Sequence, residues 1–404
     1  MHFISYDDRA DLQITVDRED GVYLGHPTTC MLADGRTVLA VYPKCHGFGQ
    51  LVLKRSTDGG KTWSRRLPVP DSFSTGMECP TMFRLTDAAG KERVLLFTGR
   101  YPFRMAVSED GEHFTDFAPI GDFGGMFIGT MIAHGGGRYT ALFHDEGEFI
   151  RGGSDVTAVV LRAGSGDDVR TKLIYRRGGK EYPYWKPTCE RPGDVWEEIY
   201  TAGQSDKYAD GRYELYAIDT ADGGLTWSAP RLILTHPEAK LCEPCAVRSP
   251  DGREIAVLLR ENARKFRSMV ITSRDEGRTW SEPREVCAAL TGDRHAAVIL
   301  PDGRLFVSLR DRCEGSDTFC DWVAWIGSYE DMVNGGEGDC RILMKKNYDA
   351  FDCAYPALEM LADGTLLATT YGGCEPGVQQ YILSLRLHAK EWQKIPQKSE
   401  QVYW

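Results

Sequence analysis

The sequence predicts an all-β fold, a six-bladed β-propeller in which each blade is a four-stranded antiparallel sheet. Two observations carry this prediction. One is an eight-residue turn pattern that recurs along the chain, and the other is a series of tight hairpins between short apolar runs. Turns and hairpins that recur together at a fixed spacing are typical of repeat architectures and not of a globular α/β domain.

The turn pattern, called the Asp box below, has the form S/T-x-D-x-G-x-T-W. It reads STDGGKTW at 56–63, TADGGLTW at 220–227 and SRDEGRTW at 273–280, with a weaker copy, SEDGEHF, at 108–114. We expect its Asp carboxylate to accept hydrogen bonds from backbone N–H groups of its own turn, and its Gly to take a positive φ. The Trp is large enough to pack between neighbouring sheets.

The hairpins set the phase of the repeat. Six of them occur, at 34–35, 89–90, 135–136, 251–252, 302–303 and 363–364. In the first and fourth units the box Asp follows the hairpin Asp by the same distance, from 34 to 58 and from 251 to 275. One hairpin and two further strands give one blade, so six hairpins give six blades. An N-terminal strand near 3–5 or 12–16 is expected to complete and close the last blade.

The chain of 404 residues is thus predicted to be a single domain, 1–404. In its third unit the step from hairpin to Asp box runs from 136 to 222, so the unit carries an insertion at about 146–208. The insertion holds two strand-like segments and a loop rich in Pro and aromatic residues. Long insertions in compact domains are usually functional. We expect this one to form a wall over the mouth of the channel.

Composition narrows the function classes. The formal net charge of −11 argues against nucleic acid and anionic membrane surfaces as partners. The twelve cysteines are scattered, with one C-x-x-C at 242–245, and are expected to be free structural thiols without a metal. No apolar run approaches the ~18 residues that a membrane span needs. The N-terminus does not resemble a secretory signal, so a cytoplasmic location is expected, or secretion if a signal has been removed.

Ionisable and phenolic residues occur where the strands of a propeller would meet the channel mouth. The positions just before the first strand and just after the second strand of each unit end at the same face of the ring. They are His26, Tyr42, Glu78, Arg100, His144, Asp145, Glu243, Arg260, Arg294, Arg310, Asp311, Tyr355 and Tyr371. Ordinary loop ends would more often be Ser, Asn, Lys or Gly, so this set predicts a functional site.

The same residues carry a resemblance to the sialidase (neuraminidase) superfamily of Asp-box propellers, over essentially the whole chain. The segment LCEPCAVRSPDGREIAVLLR resembles the one in which Glu-Pro opens a strand and an Arg ends the next, and AYPALEMLADGTLLATTYG resembles the one that presents a nucleophilic Tyr. The resemblance implies that Tyr355 is the nucleophile and that Glu243 takes its proton. A neutral Tyr suits a substrate whose anomeric carbon bears a carboxylate, because a carboxylate nucleophile would be repelled.

The resemblance also implies three arginines that hold the substrate carboxylate with their planar forks. Arg260 matches the second of them. Arg310 is the preferred match for the third, and Arg294 is its alternative.

The chain departs from the superfamily at three places. The final segment ends Tyr371-Gly372 and lacks the terminal Glu. The chain reads Gly-His-Pro at 25–27 where Arg-Ile-Pro is expected, so His26 replaces one arginine, and Arg100 or Arg104 could supply the missing charge. The acid/base Asp expected after the first hairpin is absent. In that loop, YPKCHGFGQ, His46 is the candidate for proton transfer near neutral pH.

These departures leave a second mechanism open. Asp352 and Gln379 could position a water for direct, inverting attack, in which case Tyr355 would only bind substrate. The function expected first is an exo-acting glycoside hydrolase that releases a terminal acidic sugar, above all an α-linked sialic acid, without a metal or organic cofactor. The alternatives are a glycosidase or lyase acting on another acidic sugar, and a non-catalytic propeller that binds carbohydrate.

Overall fold

A computed structural model of the chain describes residues 1–153, 155–184, 190–204 and 211–395. Within these ranges the protein is all-β, with strands as its main elements and two short helices. The first strands in chain order are β1 His2–Ser5, β2 Gln13–Asp17, β3 Thr28–Met31, β4 Val38–Pro43, β5 Leu51–Ser56, β6 Thr81–Thr86, β7 Glu92–Thr98, β8 Arg104–Ser108, β9 Ala118–Pro119, β10 Ile128–Gly135, β11 Arg138–Asp145, β12 Val156–Ala163, β13 Arg170–Arg177, β14 Lys180–Pro183 and β15 Glu197–Gln204.

The remaining elements follow the insertion. They are β16 Glu214–Thr220, β17 Arg231–Thr235, β18 Leu241–Arg248, β19 Ile255–Glu261, β20 Met269–Ser273, β21 Arg284–Glu285, β22 Gly292–Ile299, β23 Leu305–Asp311, β24 Trp322–Gly327, α1 Tyr329–Asn334, β25 Cys340–Lys345, β26 Ala357–Met360, β27 Leu366–Gly372, β28 Tyr381–Leu387 and α2 Ala389–Gln393. Short 3₁₀ turns lie at Asp71–Thr75, Gly166–Asp168 and Ala288–Leu290.

Seven sheets are formed within the described residues. Six follow one another along the chain: β3–β5, β6–β9, β10 and β11 with β16 and β17, β18–β21, β22–β25 with β1, and β26–β28 with β2. The first strand of each contacts the first strand of the next, from β3 through β6, β10, β18, β22 and β26, and β26 contacts β3 again. This all-β arrangement is consistent with a β-propeller. The apolar core lies mainly between neighbouring sheets.

The sheets differ from the predicted four strands in two places. The first has three strands, and the segment after it bonds to β5 only locally, through the Leu67 N–H and the Leu53 carbonyl at 2.8 Å. Pro68 and Pro70 follow, and neither has an N–H to extend a ladder. The fifth sheet has five strands because β1 pairs in parallel with β25. The segment at 12–16 lies in β2, which pairs antiparallel with β28 in the last sheet, as predicted for one of the two N-terminal candidates.

The Asp boxes have the predicted turn. In the first, Asp58 Oδ1 accepts the N–H groups of Lys61 and Thr62 at 3.0 and 2.9 Å, and Oδ2 accepts the Thr62 hydroxyl at 2.7 Å. The boxes at 222 and 275 repeat the pattern, and glycines in all of them take positive φ. Trp227 of the third sheet packs on Phe97 of the second, with ring centroids 5.8 Å apart. The Trp therefore fills the space between sheets, as expected.

The insertion forms a seventh sheet, β12–β15, between β11 and β16. Residues 154, 185–189 and 205–208 of the predicted insertion lie outside the described residues. The sheet packs against the loop after β4, where Cys45 and Phe48 form one apolar cluster with Leu173 and Tyr184. The inserted sheet is thus attached to the loop that carries His46. The extent of the domain, 1–404, stays a prediction.

None of the eleven described cysteines forms a disulfide with another described cysteine, and most of them are buried. Among the helices of the described residues, none is long and apolar enough to cross a membrane.

Candidate active site

A cavity of about 1010 Å³ lies where strand ends of all six consecutive sheets meet the inserted sheet. Most of the predicted site residues line it: His26, His46, Arg100, Glu243, Arg260, Arg310, Asp352 and Tyr355. Arg294 lies beside the cavity, and Gln379 does not line it. Residues from distant units therefore line one cavity, and the roles assigned to them stay predictions.

Backbone bends aim several of these side chains. His26, Glu78, Glu243 and Arg294 have φ between 51° and 57°, and so does Ala354, which precedes Tyr355. Each stands at or just before the first strand of its sheet. A non-glycine residue in this conformation costs about 1–3 kcal/mol, and such residues concentrate at functional sites. The same strained bend recurs in five sheets, so it is a built feature of the site.

Tyr355 and Glu243 form the closest contact in the site. The Tyr355 hydroxyl donates to Glu243 Oε1 at 2.5 Å, and Arg260 Nη1 donates to the same carboxylate oxygen at 2.6 Å and to the Tyr355 oxygen at 3.0 Å. Burial raises the pKa of Tyr355 well above its usual value, and the Glu243 carboxylate adds to this. Burial would also raise the pKa of Glu243, but Arg260, the hydrogen bond from Tyr355 and the charge of Arg294 together outweigh it, and the net shift is downward. A neutral phenol therefore faces an ionised carboxylate.

A buried acid that sequence reasoning missed connects the arginines. Asp293, fully inaccessible, accepts hydrogen bonds at Oδ2 from Nε and Nη2 of Arg310 at 3.0 and 2.7 Å. Its Oδ1 lies 3.0 Å from Arg260 Nε and 2.6 Å from Arg264 Nη2. Burial would raise the pKa of Asp293, but Arg260, Arg310 and Arg264 hold it well below its usual range. One signal was present in the sequence: Asp293 directly precedes the predicted site residue Arg294.

Asp293 changes what two predicted arginines can do. Arg310 gives two donors to Asp293, and its Nη1 donates to the carbonyl oxygens of Phe351 and Cys353 at 2.7 and 3.1 Å. Arg260 is engaged by Glu243, Tyr355 and the side chain of Asn262. Neither guanidinium therefore presents a complete open fork.

Arg294 is placed differently. Its backbone N–H donates to Glu243 Oε2 at 2.7 Å, and its guanidinium lies over the Phe127 ring at 4.2 Å and 5.9 Å from the centre of the Tyr355 ring. No described carboxylate forms an ion pair with it. Of the two candidates for the third arginine, Arg294 has the guanidinium that is less committed.

A second polar cluster lies beside Tyr355. Asp352 Oδ2 is 3.0 Å from His46 Nδ1 and accepts the Tyr23 hydroxyl at 2.9 Å, while Oδ1 accepts the Tyr371 hydroxyl at 2.8 Å. Burial would raise the pKa of Asp352, but the hydrogen bond with His46 leads the effects that lower it. The His26 ring links the clusters, with centroids 4.4 Å from His46 and 4.8 Å from Tyr355. The structure thus brings His46 and Asp352 together at the same cavity.

The remaining candidates have structural contacts. Arg100 lines the cavity but donates to Glu78 at 2.7 Å and to the hydroxyls of Tyr175 and Tyr184 at 2.5 and 3.1 Å. Arg104 points away from the cavity and donates to the hydroxyl and carbonyl oxygens of Thr75.

Gln379 is exposed and donates to the side chain of Gln380, which is the residue that turns inward. Successive side chains of an extended chain point to opposite faces, so Gln379 faces away from the side to which Gln380 points. The structure therefore does not bring Gln379 to the cavity with Asp352.

The cavity carries both signs of charge. Its lining includes seven Asp or Glu residues and five arginines. No group of three or more His, Cys, Asp or Glu residues with the spacing of a metal site is found among the described residues. Arg260, Arg294 and Arg310 lie close to Tyr355, and the carboxylates of Glu243 and Asp293 lie among them.

Comparisons with known proteins agree with the repeats. The profile of the BNR repeat-like domain matches residues 201–328, and that of the BNR/Asp-box repeat matches residues 54–65. Comparison with curated protein sequences finds no match.

Two solved structures share the fold. One is a protein of unknown function from Dyadobacter fermentans, with a TM-score of 0.61 and 14% identity over 93% of this chain and 97% of that chain. The other is a Hadza microbial sialidase, with a TM-score of 0.54 and 15% identity over 91% of this chain and 66% of that chain. At such identities the likeness concerns the fold. The fold and the Asp-box repeats are therefore similar to those of a sialidase.

Proposed function

We propose that the protein is an exo-acting glycoside hydrolase, and that its six consecutive sheets are the blades of one propeller completed by β2. The observation that carries the proposal is the 2.5 Å hydrogen bond from the Tyr355 hydroxyl to Glu243 Oε1. A phenol that donates to an ionised carboxylate inside a cavity is an activated nucleophile. A binding module has no need of such a pair.

The reaction begins at the anomeric carbon. The Tyr355 oxygen forms a bond to this carbon as the bond to the leaving-group oxygen breaks, and the phenolic proton passes to Glu243. Arg260 contacts both the Tyr355 oxygen and the Glu243 carboxylate, so it stabilises the charge that is redistributed between them. A water oxygen then forms a bond to the anomeric carbon and its proton passes to the group that protonated the leaving oxygen. The bond between the sugar and Tyr355 breaks, and Glu243 returns the proton to the phenol.

The leaving-group oxygen needs a proton, and the pair of His46 and Asp352 is placed to give it. Their hydrogen bond orients the imidazole, and both residues line the cavity. In the alternative mechanism Asp352 positions a water that attacks directly with inversion. The two routes differ in whether the sugar becomes attached to Tyr355.

The substrate proposed first is a terminal acidic sugar, an α-linked sialic acid. Its support is the concentration of arginines around Tyr355, of which Arg294 has no described ion-pair partner. A second candidate is an exo-glycosidase for a neutral sugar. It is favoured by Asp293, which already balances the charge of Arg260 and Arg310.

The test is hydrolysis of a fluorogenic α-sialoside, with fluorogenic neutral glycosides in parallel. Tyr355→Phe and Glu243→Gln should each lower kcat by about a hundredfold or more while the protein stays folded. The matched controls are Tyr348→Phe and Glu238→Gln, which make the same chemical changes at sites outside the cavity. Turnover of neutral glycosides alone would select the second candidate. Glycan binding without turnover of either class would reject the enzyme proposal.

A further inference from the structure

The cavity extends well beyond Tyr355, toward the inserted sheet. Val156, Tyr175, Tyr184 and Gln204 of that sheet contribute to its lining. Arg100 fixes the sheet to the rim, because its guanidinium donates to both Tyr175 and Tyr184 while it is paired with Glu78. This part of the cavity is thus a rigid wall.

A buried polar group in the wall has no partner among the described residues. Gln204, at the end of β15 and paired with Val156, is only 2% exposed, and no described residue hydrogen-bonds its Nε2. A buried amide without a partner costs about 1–3 kcal/mol, so such groups are rare unless a ligand completes them. The two N–H donors of the Gln204 amide are therefore unused by the described residues, and Gln204 contributes to the lining of the cavity.

Acceptors line the same region. Glu148 lines the cavity, and no described residue hydrogen-bonds its carboxylate. Burial raises the pKa of Glu148, Arg100 opposes this shift, and Glu146 adds to it. Glu148 thus lies within electrostatic range of Arg100 on the wall side.

The position of His46 indicates on which side of the scissile bond the inserted sheet lies. The His46 loop packs on the inserted sheet, with the rings of Phe48 and Tyr184 5.1 Å apart. The group that protonates the leaving oxygen must lie on the leaving-group side of the scissile bond. The inserted sheet is therefore on the leaving-group side, and the glycosyl group lies over Tyr355.

We propose that Gln204 and Glu148 form a subsite for an uncharged, hydroxyl-rich leaving group, the penultimate sugar of a glycan. Sugar hydroxyls both accept and donate hydrogen bonds, so they complement an amide donor and a carboxylate acceptor, and the Tyr175 ring adds an apolar surface. This inference rests on the proposed function, since it assigns the aglycone side of the same cavity.

The test compares two substrates with the same glycosyl group: sialyllactose, whose leaving group is a sugar, and α-sialosyl fluoride, whose leaving group is one atom. For Gln204→Leu, the ratio of kcat/KM for sialyllactose to that for the fluoride should fall about tenfold, the effect of losing one hydrogen bond to a buried group. For Glu148→Gln the ratio should fall less, because Glu148 is exposed. Glu197→Gln, an exposed change on the same strand as Gln204, should leave the ratio unchanged. A ratio unchanged in both site variants would overturn the subsite.

A failure of the proposed hydrolase function can be distinguished from a failure of the proposed subsite. If the wild-type protein hydrolyses neither substrate, the reaction is wrong, and binding of free lactose by saturation-transfer NMR decides the subsite alone. Lactose signals in the wild type and in Glu197→Gln that are lost in Gln204→Leu support it. Signals that are equal in all three proteins, or absent from all three, contradict it.

Discussion

Asp293 Oδ2 accepts hydrogen bonds from Nε and Nη2 of Arg310 at 3.0 and 2.7 Å, so a carboxylate of the chain itself fills the fork of an arginine predicted to hold substrate. Arg260 and Arg264 lie against the other oxygen. A buried acid that touches three guanidinium groups lowers the local positive potential and fixes their geometry. The affinity of the site for anions is therefore set partly by this one residue.

Removal of the Asp293 charge should strengthen anion binding. In Asp293→Asn, we expect free sialic acid to bind about tenfold more tightly or better, because a repulsion worth at least about 1.4 kcal/mol is lost. The fold should lose about 3 kcal/mol of unfolding free energy, since a buried ion-pair network is broken. Calorimetric titration and urea unfolding measure the two effects, with the exposed Asp116→Asn as control. Equal or weaker sialic acid binding would contradict this account of the cluster.

The roles of His46 and Asp352 can be separated by leaving group. Fluoride leaves without a proton, whereas a sugar alkoxide needs one. In His46→Ala and Asp352→Asn, kcat for sialyllactose should fall about a hundredfold more than kcat for α-sialosyl fluoride. His2→Ala, which changes an exposed histidine, serves as the control. Equal losses on both substrates would instead favour the inverting route, in which Asp352 positions water for either substrate.

The Asp boxes should stabilise the fold in a pH-dependent way. Burial would raise the pKa of Asp58, but the hydrogen bonds from Thr62 and Ser56 hold it at about 2 instead of 3.8. Asp58→Asn should cost about 1–3 kcal/mol at pH 7. Because the folded-state pKa is lowered, this cost should be complete above about pH 4 and disappear as the pH falls toward 2. Urea unfolding across this range, against Asp116→Asn, measures it. If the loss of unfolding free energy in Asp58→Asn did not change with pH, the charge of Asp58 would make no contribution to stability.

Glu359 should destabilise the protein at high pH. It lies on β26 and accepts the Thr29 hydroxyl from β3 at 2.9 Å, and burial raises its pKa from 4.5 to about 7. The folded protein therefore holds this proton more tightly than the unfolded chain, so stability falls as the pH rises from 4.5 to 7. Glu359→Gln should be more stable than the wild type at pH 8 and closely similar at pH 4.5. Thermal unfolding at both values, with Glu238→Gln alongside, tests this. A difference that does not change with pH would contradict it.

Much of the fold follows from local patterns in the sequence. The box Asp, Gly and Trp act within one turn or against the next sheet, so the pattern predicts the structure of each unit. The spacing of the hairpins was enough to predict that Glu243, Arg260 and Tyr355 lie close together, although Glu243 and Tyr355 are 112 positions apart in the sequence. The three-stranded first sheet was not predicted, because the repeat implied a fourth strand in every unit. Pro68 and Pro70, which lack the N–H groups that such a strand would need, were not weighed against it.

The rest of the site depends on packing between units. Asp293 was missed because its role arises only when arginines from β19 and β23 and the nearby Arg264 meet around it. Gln379 was expected in the cavity, but its neighbour Gln380 faces inward, and composition cannot resolve a shift of one residue. The inserted sheet gave strand signals and aromatic residues, yet the unpartnered amide of Gln204 is visible only in three dimensions.

Because of their left-handed backbone, five residues can carry different side chains without a change in the sheets around them. They are His26, Glu78, Glu243, Arg294 and Ala354. The bend is a property of the main chain, so replacing the side chain that it carries leaves the neighbouring ladder in place. A different side chain at one of these five positions can therefore alter the lining of the cavity without altering the sheets.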